Sequence, residues 1–212
     1  MSLFILPYLS VLSQMMVVGA IAYVRRNLAA EMKILAIYFV LCFLTAVLQL
    51  SLALKGVNNL WTGEIFSPVQ YAMLMYVFYV WNRTSAIGTA MFYSIPIFIA
   101  AWVIGLIWFG NAATTFNYMD PISAAVFVVV SAFTLLTLDR VEGSSVVDTP
   151  SFWISAATVI YFGSTIVLSS LGSSLLKASV PTMQLAWSVQ AIINILANLL
   201  YAGGFLCLRQ KT

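Results

Sequence analysis

The sequence predicts an all-α polytopic membrane protein with seven transmembrane helices, the N-terminus outside and the C-terminus in the cytoplasm. Of its 212 residues, 63% are hydrophobic and 7% are charged. Soluble domains carry about 25% charged residues, so this composition favours a membrane protein. Apolar runs of helical length alternate with short polar loops, and Lys and Arg are concentrated in every second loop.

The apolar runs form one predicted domain over residues 1–212. The predicted spans are approximately 3–24, 34–54, 66–81, 88–109, 121–138, 151–172 and 183–208. Ser67-Pro68 is assigned to the start of the third span and Asp120-Pro121 to the start of the fifth, because proline is favoured in the first turn of a helix. Residues 110–119 are then an outer loop.

The basic residues predict the orientation. With the N-terminus outside, the inner loops and the tail hold Arg25, Arg26, Lys33, Arg83, Arg140, Arg209 and Lys211, and the outer loops hold Lys55 and Lys177. This excess of basic residues inside is the pattern that membrane insertion favours. The expected location is the bacterial inner (cytoplasmic) membrane.

The last span carries a polar face. At 100° per residue, one arc of about 100° contains Gln184, Trp187, Ala191, Asn194, Asn198 and Tyr201, with Gln190 at its edge. An unpartnered amide in hydrocarbon costs several kcal/mol, so this arc should face protein. For Asn194 and Asn198 the expected partners lie on the second, third or sixth helix, with Gln49, Gln70 and Thr165 favoured. Two interpretations stay open: the face holds helices together, or it binds a ligand.

Other spans carry weaker polar faces. In the first span, Ser10, Ser13 and Gln14 share one face. In the second, a stripe is formed by Tyr38, Cys42, Thr45 and Gln49. In the sixth, a stripe of mostly small residues contains Ser155, Thr158, Phe162, Thr165, Ser169 and Gly172. Small residues of this kind let membrane helices approach closely.

A ligand cavity is expected between the second, third, sixth and seventh helices, toward the outer leaflet. Its candidate lining is Gln49, Gln70, Tyr71, Trp187, Gln190, Asn194 and Asn198. Glu64 and Asp120 precede the outer ends of two predicted helices, where an anion is favoured by about 0.3–1 kcal/mol. They are interpreted as helix caps, or as the anionic groups of an outer mouth that binds a cation or amine.

Several function classes are disfavoured. The chain has no His, and no predicted span contains a carboxylate, Lys or Arg. Proton relays and retinal-type pigments need such charges within the membrane. Paired carboxylates, metal ligands and a serine–base arrangement are also missing, so we predict no catalytic residue, no metal site and no cofactor. No basic aromatic patch points to nucleic acid.

One stretch resembles a known module. Asn58-Asn59-Leu60-Trp61 followed by residues 65–71 is similar to the approach to the third helix in seven-helix membrane modules of bacterial sensor proteins, which are often fused to histidine kinases. Residues 152–162 and 186–198 are similar to the sixth and seventh helices of those modules. The resemblance implies a sensing function. Because the sequence ends at Thr212 without an output domain, we expect signalling through a separate partner.

The sequence therefore predicts a sensor or receptor-like membrane protein for a small or lipid-like ligand. One alternative is a transporter of small uncharged solutes or lipids, and a second is a structural subunit of a larger membrane complex. Membrane lipids are expected partners in each case, and a homo-oligomer is compatible with all three. A transporter needs a polar path to both faces, whereas a structural subunit should use its amides in hydrogen bonds within the protein.

Overall fold

A computed structural model describes residues 5–109, 112–138, 145–175 and 179–208. Within these ranges the chain forms seven α-helices, as the sequence predicts. They are α1 (Leu6–Val24), α2 (Ala30–Leu54), α3 (Leu60–Trp81), α4 (Ala86–Phe109), α5 (Ala112–Leu136), α6 (Pro150–Leu175) and α7 (Val180–Leu206). Short 3-10 helices cover Arg25–Asn27 and Val146–Asp148.

Six of these helices are long and apolar enough to cross a membrane, which supports the assignment as an integral membrane protein. They are α1, α2, α4, α5 from Met119 onward, α6 and α7. The remaining helix, α3, is long enough, but Glu64, Ser67 and Gln70 lower its mean hydropathy.

Two predicted helix starts are wrong. α3 begins at Leu60 instead of residue 66, and α5 begins at Ala112 instead of residue 121, so Pro68 and Pro121 lie inside helices. The predicted outer loop over 110–119 is therefore helical from Ala112 onward. A proline removes only one backbone hydrogen bond, and helices in membrane proteins tolerate this loss. Proline was consequently a poor marker of where these helices begin.

Some predictions concern residues outside the described ranges. They include the start of the first span at Leu3 and four of the basic residues used for orientation, Arg140, Lys177, Arg209 and Lys211.

The described helices fall into two compact units. The first consists of Met1–Asn27 and Ala124–Thr212, and in it α7 packs against both α1 and α6. The fully buried side chains of this unit include Val17, Phe127, Phe162 and Phe205. The opposite side of α7 exposes Leu185, Val189, Ile192, Leu196 and Leu199, as expected for a face in contact with lipid.

The second unit consists of Leu28–Ser123, and in it α3 packs against both α2 and α4. Its interior contains the large side chains of Leu35, Leu74, Met75 and Phe78. α2 and α3 run in opposite directions: Asn59 at the start of α3 donates to the carbonyl of Gln49 near the end of α2, at 2.9 Å. α3 thus begins beside a point five residues before the end of α2 at Leu54.

Candidate functional site

A ladder of hydrogen bonds joins α1 to α7. The Asn194 amide donates to the Ser10 hydroxyl at 2.6 Å, and the Asn198 amide donates to the Ser13 hydroxyl at 2.8 Å. Ser13 in turn donates to the carbonyl of Ser10 at 2.7 Å. Asn198 is 4% exposed and Asn194 is half-buried. Both amides therefore face protein, as the cost of burying them in lipid predicts.

The partners of these two amides are not the predicted ones. They lie on α1, whereas the second, third or sixth helix was expected. Ser10 and Ser13 are three residues apart and Asn194 and Asn198 four, so each pair occupies about one turn of its helix. The two helices run in the same direction, and the pairs therefore meet in register. The shared face of Ser10 and Ser13 was visible in the sequence, but the identity of the neighbouring helix was not.

Replacing Asn198 by leucine is expected to lower the free energy of unfolding by roughly 1–2 kcal/mol, because it removes a buried interhelical hydrogen bond. A double-mutant cycle with Ser13→Ala should give a coupling of about 0.6 kcal/mol, and up to about 1.7 kcal/mol. The measurement is equilibrium unfolding in mixed micelles. Additive effects of the two substitutions would show that the Asn198–Ser13 bond contributes nothing to stability.

Gln190 lies one turn before Asn194 and faces α6. Its amide nitrogen is 3.5 Å from the Thr165 hydroxyl, which donates to the carbonyl of Tyr161 at 3.0 Å. The Gln190 Oε1 atom is buried and has no hydrogen-bond partner among the described residues. Exchanging the oxygen and nitrogen positions would still leave one amide atom unused. Gln190 is thus equipped to accept a hydrogen bond from a further molecule.

Three other polar atoms in the described ranges are also completely buried and have no partner. They are Gln14 Oε1 and Ser155 Oγ in the first unit and Trp102 Nε1 in the second. Deeper along the α6–α7 contact the polar groups are paired, since the hydroxyls of Thr158 and Tyr201 lie 3.1 Å apart. Buried polar atoms without a hydrogen-bond partner are uncommon in folded proteins, and each invites an explanation by solvent, ion or ligand.

The other proposed cavity residues differ in environment. In the first unit, Trp187 is 59% exposed. In the second unit, Tyr71 is buried, its ring stacks on Phe98 with centroids 3.9 Å apart, and its hydroxyl donates to Ser94 at 3.1 Å. Gln49 and Gln70 are half-buried in the same unit. The ring and the hydroxyl of Tyr71 are therefore already in contact with Phe98 and Ser94.

Glu64 and Asp120 were predicted to precede two helices. In the structure both residues lie within helices. Glu64 is in the second turn of α3 and is only 2% exposed. Asp120 lies inside α5, is half-buried, and its backbone carbonyl accepts a hydrogen bond from Ser123 at 2.8 Å. The helix starts were placed too late in the sequence, so the burial of Glu64 was missed.

In the described ranges, no group of three His, Cys, Asp or Glu side chains could hold a metal ion. No protein-family model, curated protein sequence or solved structure matches the chain. The case for a function therefore depends on the arrangement of polar groups within the two units.

Proposed function

We propose that this chain is a seven-span sensor or receptor-like protein of the bacterial inner membrane, with its N-terminus outside and its C-terminus inside. It binds a small or lipid-like ligand and signals through a separate partner. The resemblance to the membrane modules of bacterial sensor proteins supports this proposal, and so do the membrane-compatible length and hydropathy of six helices.

The directions of α1 and α7 support the seventh crossing. Ser10 pairs with Asn194 and Ser13 with Asn198, so the two helices run the same way. If both cross the membrane, the chain must cross an odd number of times between them. α2, α4, α5 and α6 account for four crossings, and α3 supplies the fifth. A six-span arrangement that omits α3 would make α1 and α7 antiparallel.

The described basic residues support the orientation. In this arrangement Arg25 and Arg26 follow the inner end of α1, Lys33 lies in the first turn of α2, and Arg83 follows α3; all four are exposed. Lys55 is the exposed basic residue of the described outer connections. This distribution agrees with the preference for Lys and Arg on the cytoplasmic side.

The observation that carries the receptor proposal is the buried, unpartnered Gln190 Oε1. A ligand that donates a hydrogen bond there would relieve the cost of an unsatisfied acceptor, which is about 1–3 kcal/mol. Gln190 faces α6, while the next polar residue of α7, Asn194, holds α1. Ligand binding would thus favour one arrangement of α6 and α7, and a partner could respond to that shift.

A structural subunit is the second candidate, because the Asn194 and Asn198 amides are used in hydrogen bonds within the chain. In that case the polar face of α7 serves assembly alone. The two candidates differ at Gln190: a ligand-binding protein needs its free acceptor, whereas a structural subunit would bind nothing there.

The experiment is native mass spectrometry of protein purified in mild detergent, with a total bacterial lipid extract as the probe. We expect one bound species on the wild-type protein, and Gln190→Leu should weaken its binding up to about tenfold, because one buried hydrogen bond contributes about 0.5–1.5 kcal/mol. The matched control is Asn194→Leu on the same helix, which should lower stability but leave binding by the folded protein unchanged. A wild-type protein that binds nothing, or a Gln190→Leu variant that binds equally well, would contradict the receptor proposal.

A further inference from the structure

The second unit contains a buried carboxylate that lacks a counter-charge. Glu64 is 2% exposed, and within the described ranges its carboxylate has no hydrogen bond and no ion pair. An isolated carboxylate is very costly to bury, so buried acidic groups in proteins are paired, bind ions or take up a proton. The nearest basic residue in sequence, Lys55, is exposed on the preceding connection.

The backbone around Glu64 supplies a second free oxygen. Pro68 lies inside α3 four residues after Glu64 and has no N–H group, so it cannot donate the helical hydrogen bond to the Glu64 carbonyl. In membrane proteins, backbone carbonyls released from regular helical bonding are recurrent ligands of small cations.

Ser67 supplies a third oxygen on the same side of the helix. It is three residues after Glu64, a spacing that puts the two side chains next to each other. Many helical hydroxyls of this chain, such as Ser94 and Ser131, donate to a carbonyl three or four residues earlier. Ser67 is buried, yet its hydroxyl makes no hydrogen bond to any residue in the described part of the chain. Its oxygen is therefore available to a ligand.

The level of Glu64 in the second unit follows from the contact between α2 and α3. The Asn59–Gln49 hydrogen bond aligns the start of α3 with a level five residues inside the end of α2. Glu64 is five residues after Asn59, about 7.5 Å further along α3 at 1.5 Å per residue. That level corresponds to the region of Leu44 and Thr45 on α2. The buried Thr62 donates to the Asn59 carbonyl at 2.7 Å, so it is already committed to the helix start.

We propose that Glu64, its own backbone carbonyl and Ser67 form a binding site for a small monovalent cation of the alkali type. Oxygen ligands suit such hard cations, and one carboxylate balances one positive charge. A divalent ion would keep an uncompensated charge in the same buried place. The site lies in the second unit and uses none of the groups around Gln190, so it does not rest on the receptor proposal.

The test is thermal unfolding of the purified protein in mild detergent, with sodium chloride replaced by choline chloride at constant ionic strength. We expect sodium to raise the Tm of the wild-type protein in a saturable way, because a ligand that binds only the folded state stabilises it. Glu64→Gln should abolish this dependence, and Ser67→Ala should raise the half-saturating sodium concentration several-fold. Glu31→Gln is the matched control, since it removes a carboxylate from the first turn of α2 and should keep the full response.

Binding of radioactive sodium to the wild-type protein provides a readout that does not depend on the folding of any variant. We expect one sodium ion per chain, displaced by lithium or potassium but not by choline. Equal Tm values in sodium and choline, or no retained sodium, would refute the cation site. A Glu64→Gln variant that keeps the sodium response would refute the role of this carboxylate.

Discussion

Replacing Gly88 by alanine is expected to be among the most destabilising single methyl additions in the described part of the chain. A Cβ atom at Gly88 would collide with the backbone carbonyl oxygen and carbon of Asn82, and would lie 3.2 Å from the Cα atom of Arg83. These are main-chain atoms of the α3–α4 connection, so a side-chain rotation cannot relieve the clash. Overpacking commonly costs about 1–3 kcal/mol, and a clash with backbone should exceed that range.

Hydrogen bonds of Asn82, Ser85 and Gly88 hold this connection in place. Asn82 donates from its side chain to the Phe78 carbonyl at 2.9 Å, and its own carbonyl accepts from the Ser85 hydroxyl at 2.8 Å. The Ser85 hydroxyl also accepts from the Gly88 N–H at 2.9 Å, which caps the start of α4. An alanine at Gly88 should therefore break either the Ser85 cap at the start of α4 or the hydrogen bonds of the α3–α4 connection.

The measurement is equilibrium unfolding in mixed micelles, with Gly163→Ala as the control. Nothing lies within 4 Å of a Cβ atom at Gly163, and alanine is the better helix former, so the control should be neutral or more stable by up to about 1 kcal/mol. Equal stability of Gly88→Ala and Gly163→Ala would show that the α3–α4 turn can relax.

The presence of the helices can be predicted from the hydrophobic runs, but the residues at which the helices begin cannot. Long apolar stretches predict all seven helices, because only a helix satisfies its backbone in hydrocarbon. The starts of α3 and α5 were missed because Pro68 and Pro121 match the signal of a helix beginning and also occur inside membrane helices. Since Glu64 lies between the predicted and the observed start of α3, that one ambiguity hid a buried carboxylate.

The polar face of α7 illustrates a second limit. The inward direction of Asn194 and Asn198 could be predicted from the 100° rotation per residue and the cost of an amide in lipid. Their partners Ser10 and Ser13 could not, because they are more than 180 residues away in sequence. The order of helices around α7 depends on the packing of the whole unit. The sequence of one helix does not show which helices are its neighbours.

The contact between α6 and α7 contains both the ligand-facing residue of the receptor proposal and a close approach of Gly204 to Ile154. Near one end, Gln190 meets Thr165. Further along, Tyr201 meets Thr158, and beyond it Gly204 lies against Ile154. A change in the spacing of these two helices would reach every one of these contacts, so their close approach is a requirement of the proposed signalling.

Gly204→Ala is accordingly expected to lower the free energy of unfolding by about 1–3 kcal/mol, the usual cost of overpacking a buried contact. A Cβ atom at Gly204 would lie 2.8 Å from Cδ1 and 3.0 Å from Cγ1 of Ile154, and 3.2 Å from Cβ of Trp153. Ile154 is fully buried, which leaves its side chain little room to turn away. The measurement is again unfolding in mixed micelles.

The cause of this loss can be isolated with two further variants. Ile154→Val removes the Cδ1 atom that lies nearest to the added methyl group, so Gly204→Ala should cost less in the Ile154→Val background than in the wild-type protein. Gly203→Ala is the neighbouring control: its Cβ would come no closer than 3.7 Å to the Trp153 ring, an ordinary contact, so its stability should match the wild type within about 0.5 kcal/mol. Equal losses for Gly203→Ala and Gly204→Ala, or additive effects of Gly204→Ala and Ile154→Val, would mean that the α6–α7 contact at Ile154 does not set the separation of these helices.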